Sequence, residues 1–237
     1  MNRKFFSFII NALLFSCLFA SCDDGKIYDE GRHVEIEGGI ARVTATIQGV
    51  QTWPSDYTIV VAGFKKDDEY AAVAKTVTTA DDGSMDLILK GISNEVSQIE
   101  VCVINKLRKR IVSFYQTDFT DSSDTLKLDI GTVNASLFNG IQKSIFDASC
   151  TGCHGAGASA ADGLYLTEGK SHSALVNVKA NSSNEGKMLV KPGDADNSFI
   201  MDVLTEGASN HYHNDLLSGS PEKISLLKSW IEGGAQE

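Results

Sequence analysis

Ile40-Ala41-Arg42-Val43-Thr44-Ala45-Thr46-Ile47 alternates apolar and polar side chains with a period of two. Successive side chains of an extended strand point to opposite faces, so this spacing predicts a strand with one buried and one wet face. The same rhythm recurs at Tyr57 to Phe64, Ala71 to Thr79, Met85 to Leu89, Ile99 to Ile104, Ile111 to Tyr115 and Leu126 to Ile130, with turn chemistry such as Asp81-Asp82-Gly83 between runs. Seven short strands at that interval predict an all-β, immunoglobulin-like sandwich over residues 33–133. The paired cysteines of antibody domains are missing from the segment. Trp53 and Tyr57, beside Pro54, are expected to pack in the core or a loop. Lys106, Arg108, Lys109 and Arg110 read as a solvated hairpin tip.

The pattern changes at Asn134-Ala135-Ser136, where Ser136 suits a helix N-cap. Leu137, Phe138, Ile141, Ile145 and Phe146 then recur at helical spacing, which predicts an amphipathic helix running into Cys150. A second helical patch spans Ser198 to Leu204. In a third, Ser220 caps, Pro221 takes the first turn, Ile224, Leu227, Trp230 and Ile231 form the apolar face, and Gly233-Gly234 ends it.

The first helix leads into Cys150-Thr151-Gly152-Cys153-His154, two thiols and an imidazole at the spacing that attaches a c-type haem. Each cysteine can add to one vinyl group as a thioether, and the adjacent histidine can ligate the iron from below. Other readings stay open at this level. A redox dithiol uses the same Cys-x-x-Cys but belongs in a βαβ setting, whereas here the motif follows a helix. A zinc site could draw on Cys150, Cys153, His211 and His213.

Further along stand Gly163-Leu164-Tyr165-Leu166, Val190-Lys191-Pro192-Gly193, Ser198-Phe199-Ile200 and Trp230-Ile231-Glu232-Gly233-Gly234-Ala235. With the haem motif, residues 137–235 resemble a class I-type monohaem cytochrome c domain of bacterial exported proteins. That resemblance implies an all-α cytochrome c domain over 134–237, one covalent haem c held by Cys150, Cys153 and His154, and electron transfer as the activity. It also implies close approach of the terminal helices, with Gly140 making room for Trp230. The family carries a Met-Pro pair before its last helix, the methionine being the sixth iron ligand. Here the matching stretch is Asn210-His211-Tyr212-His213-Asn214. His213, nearest the replaced position, is the first candidate, His211 the second and Met201 the third, with Met188 also available. Met201 lies among Phe199, Ile200, Val203 and Leu204, where a core methionine is the ordinary expectation. His33 and His172 sit in polar surroundings and are expected to be solvated.

At the N-terminus Arg3 and Lys4 precede an apolar run from Phe5 to Ala20, a secretory signal over residues 1–21. Leu18-Phe19-Ala20-Ser21-Cys22 resembles a lipobox, which implies acylation of Cys22. Asp23-Asp24 resembles the acidic tether of Bacteroidetes-type lipoproteins, extended here over 22–32. The implied location is extracytoplasmic, at the outer membrane, with the membrane itself as one partner through lipidated Cys22. Cys102, in an apolar strand, reads as a buried unreactive thiol.

Removing two basic and no acidic groups with the signal takes the net charge from −10 to −12. Such a surface disfavours nucleic acid and suits a basic or quinol-linked redox partner. No acid–base constellation accompanies the haem motif, so an electron carrier fits better than an enzyme. The alternative is a binding or structural lipoprotein whose sandwich recognises carbohydrate or protein, with the Cys/His cluster as a haem sensor or zinc site.

Overall fold

All seven alternating runs form strands in the computed structural model, which describes residues 38–120, 124–155, 160–181, 183, 185–206 and 213–237. They are β1 (Gly39–Gln48), β2 (Tyr57–Lys65), β3 (Ala71–Thr76), β4 (Ser84–Ile92), β5 (Val96–Asn105), β6 (Arg110–Asp118) and β7 (Leu126–Asn134). β1 shows the predicted alternation: Ala41, Val43, Ala45 and Ile47 face the core while the residues between them face outward.

The strands build two sheets, one ordered β4-β1-β7 and the other β3-β2-β5-β6. β1 is antiparallel to β4 and parallel to β7, so that Val43 lies opposite both Leu87 and Leu128. This departs from the immunoglobulin order, which groups strands one, two, four and five against three, six and seven. Here strands two and five lie with three and six, and the seventh closes on the first. Alternation reports which face of a strand is buried, not which strand lies beside it. β2 and β5 are moreover buried on both faces. Val60, Ala62, Phe64, Ala71, Cys102 and Ile104 form a second apolar cluster, and buried Glu100 meets Arg110 at 2.5 Å beside it. Burial first, and the Glu100 charge second, push the Cys102 thiol far above its ordinary range, in keeping with an inert core residue.

The all-α cytochrome c domain expected over 134–237 does not form, and the molecule is mainly β. Among the described residues after β7 the helices are short: α1 (Leu137–Ile141) continued by π-helical turns over Gln142–Cys150, α2 (Ser171–Leu175), α3 (Phe199–Thr205) and α4 (Pro221–Glu232). Turns and irregular chain make up the other described residues, tied by isolated bridges Val176–Val190, Lys179–Met188 and Met188–Ser198. The apolar faces of α1 and α4 are buried as their periodicity requires, but in a core continuous with the layer between the sheets. Helical periodicity cannot tell these two settings apart. The described residues accordingly fall within a single compact unit.

One contact shows how the two parts are joined. A Cβ on Gly140 would stand 2.6 Å from the Trp53 ring, so the glycine admits Trp53 from the β1–β2 loop, not Trp230 as expected. Trp53 Nε1 donates to the Ala135 carbonyl at 2.7 Å, and its ring meets Tyr57 and Phe114 edge-on. From the same loop, Thr52 Oγ1 accepts the Leu137 amide at 2.8 Å, while Ser136 caps the Asn139 amide as expected. Trp230 packs instead on Phe138, with centroids 5.1 Å apart. The basic hairpin tip is also more engaged than a solvated turn, because Lys109 pairs with Glu222 of α4 at 2.9 Å.

Candidate functional site

The described residues between Phe146 and Leu166, 147–155 and 160–165, gather around His154. The chain enters it in π-helical form, with the Thr151 amide on the Phe146 carbonyl five residues back. Residues five apart diverge around an α-helix but come close to stacking under i→i+5 bonding, so half-buried Cys150 sits over buried Ile145, its Sγ 3.6 Å from that carbonyl. Sequence periodicity did not signal this change of winding. The amides of Cys153 and His154 then both close on the Cys150 carbonyl, at 3.1 and 2.9 Å. Residue 155 must be glycine, since any Cβ there would collide with the Thr151 carbonyl oxygen.

Cys150 and Cys153 are unpaired thiols, the first half-buried and the second exposed. Burial, reinforced by the Asp147 charge, pushes the Cys150 thiol up to about 11. A nucleophilic redox cysteine shows the opposite shift. Alkylation of Cys150 in the cofactor-free protein should therefore be slow at pH 8 and accelerate as the pH climbs toward 11. Peptide-resolved mass spectrometry with iodoacetamide checks this, and fast labelling at pH 8 would contradict it.

The His154 ring is held from behind. Its Nδ1 lies 3.2 Å from the Ala161 carbonyl and 3.2 Å from that of Leu164. Carbonyls only accept, so Nδ1 must carry the proton, leaving the Nε2 lone pair for a metal. The two carbonyls converge because Asp162 and Gly163 adopt left-handed conformations, with φ of 54° and 70°. The Leu166 amide adds a bond to the His154 carbonyl at 2.8 Å. The Gly163-Leu164-Tyr165-Leu166 stretch thus orients the histidine.

Gln142, absent from the sequence-based candidates, fastens that strap to α1. Almost fully buried, it donates from Nε2 to the Leu166 carbonyl at 2.9 Å and to Asp147 at 2.7 Å, and its Oε1 accepts from Ser171. A polar residue within the helical run was the only available signal. Gln142→Leu should lower stability by about 1–3 kcal/mol, the cost of leaving buried partners unpaired. Urea unfolding measures it, and an unchanged midpoint would contradict the role.

Opposite stands His213. Its ring centroid lies 6.2 Å from that of His154, with the planes 31° apart. The His213 carbonyl accepts the Leu216 amide at 3.1 Å, and buried Leu217 accepts the Ser220 amide at 2.9 Å, so the turn carrying the ring is fixed to the start of α4. Met201 is buried in the apolar core, and Met188 is partly exposed on its bridge with Lys179. His172 is not solvated as expected: its Nε2 bonds the Ala235 carbonyl at 2.8 Å and its ring packs on Phe138. Cys22, His33 and His211 lie outside the described residues. Among the described residues no three His, Cys, Asp or Glu side chains gather as a metal cluster. No described helix is long and apolar enough to cross a membrane.

The Val190-Lys191-Pro192-Gly193 and Ser198-Phe199-Ile200 stretches brace this region. The Gly193 amide, at φ +78°, donates to Ile231 of α4 at 2.7 Å, and Ser198 Oγ accepts the Lys191 amide at 2.8 Å. On the sandwich, a cleft of about 570 Å³ opens along β3 and β4, with Lys75, Asp86 and Lys90 among its lining residues.

Comparison with known proteins adds little to this geometry. No family model matches the chain, and no curated protein matches it. Among solved structures, a 9R-lipoxygenase from Cyanothece PCC8801 is similar over 42% of this chain at 12% identity and a TM-score of 0.22. This chain covers 17% of that protein's length, and so slight a likeness carries no argument.

Proposed function

We propose that the chain is a lipid-anchored, extracytoplasmic c-type cytochrome that transfers electrons through one covalently attached haem. The observation that carries this reading is His154, whose Nδ1 is committed to two carbonyls and whose Nε2 is left as a ligand, directly beside two unpaired thiols. The residues fit the group: Cys150 and Cys153 would form the thioethers and His154 would bind the iron. The cofactor supplies one-electron redox chemistry once attached. The chain's own residues attach it, orient the imidazole and present an acidic surface to a basic or quinol-linked partner. Expression in a host with a haem-maturation system, followed by haem staining of a denaturing gel, tests the reading. A stained band at the size of the chain supports it, and an unstained band rejects it.

The anchor belongs to the same proposal and has its own test. Cys22→Ala should move the chain from the membrane pellet to the soluble fraction, since acylation at Cys22 is the proposed attachment. A variant still found in the pellet would contradict a lipid anchor.

A further inference from the structure

We propose that His213 is the second axial ligand of the iron, so that two imidazoles with nearly parallel planes hold the metal between them. This rests on the haem reading above and deepens it. The distance decides among the candidates. Two metal–imidazole bonds of about 2 Å each, plus the distance of about 1 Å from each ring centroid to its nitrogen, place two trans imidazoles about 6 Å apart. The His154 and His213 centroids are 6.2 Å apart.

Each ring is also held by its own part of the chain. His154 is clamped through Nδ1 by the Ala161 and Leu164 carbonyls, and His213 rides on the turn fixed through Leu217 to the start of α4. Met201, by contrast, is 8% exposed and packed in the apolar core. Two consequences follow. The iron is closed to outside ligands, which suits outer-sphere electron transfer, and its potential lies below that of a His/Met centre. The 31° between the planes further predicts the rhombic low-spin signal of near-parallel imidazoles, as opposed to the strongly axial signal of perpendicular ones.

The test uses the full-length, haem-loaded protein. Oxidised wild type should be low-spin, lack the near-infrared band of iron–sulfur ligation, and give a rhombic electron paramagnetic resonance spectrum. His213→Ala should keep its covalent haem by gel staining, turn largely high-spin, bind carbon monoxide when reduced, and return to low-spin on addition of imidazole. Met201→Ala should leave the spectrum unchanged. His213→Met, which keeps a ligand in place should the alanine variant fail to accumulate, should gain the iron–sulfur band. A stained His213→Ala protein with a wild-type spectrum, or a His213→Met protein without the new band, would overturn this inference while leaving the haem reading intact. A strongly axial wild-type signal would overturn the parallel arrangement. Wild type without covalent haem would instead reject the reading on which the inference rests.

Discussion

A chain carrying both Cys150→Ala and Cys153→Ala is expected to leave the export pathway with no covalent porphyrin, a complete loss of haem stain on a denaturing gel. Both proposed thioether sulfurs would be gone, and ligation by His154 alone would be a coordinate bond that does not survive denaturation. Misfolding would not explain the loss, because the structure asks little of these thiols. Cys153 is exposed, and Cys150 is half-buried at the edge of the apolar core, with a long contact to the Ile145 carbonyl, where the smaller alanine side chain also fits. The double variant should therefore accumulate, with an unfolding midpoint close to that of haem-free wild type. Staining equal to wild type would refute attachment at these residues.

The second large effect lies where the sandwich meets α1. Trp53→Ala should destabilise the protein by about 3 kcal/mol, at the low end of the range for aromatic-to-alanine changes because the ring is only half-buried. The substitution removes the bond to the Ala135 carbonyl and the contacts with Tyr57 and Phe114, and it opens a hollow against Gly140. Gly140→Ala should cost about 1–3 kcal/mol for the opposite reason, since its Cβ must push the ring aside. The two costs should not add: with the ring removed, the alanine methyl gains space, and a coupling of about 0.5–3 kcal/mol is expected. Denaturant unfolding of the two single variants and the double variant measures it, and strict additivity would mean that Trp53 does not seat on Gly140.

Strand positions were legible because alternation marks a half-buried strand directly, as in β1. Their arrangement was not, since the pairing of Val43 with both Leu87 and Leu128 depends on which strands become neighbours. Gly140 illustrates the same limit. A glycine on an apolar helix face signals close approach, but the residue that approaches is Trp53, 87 positions earlier in the chain, not Trp230. The helices were marked by Ser136, Pro221 and Gly233, yet their apolar faces read the same against a sandwich as in an all-α domain. At the site, Cys150, Cys153 and His154 were marked by spacing and His213 by the missing methionine. The π-helical winding and buried Gln142 were not, because each is a tertiary adjustment around the His154 strap.

The intact mass of the exported protein, taken after denaturation and removal of non-covalent ligands and read with the pyridine haemochrome spectrum of the same sample, tests attachment most directly. The expected result is a mass increased by one haem per chain, in addition to any lipid, with a haemochrome of the two-thioether type. A chain of unmodified polypeptide mass with no Soret absorption, or one holding zinc in its place, would contradict the account.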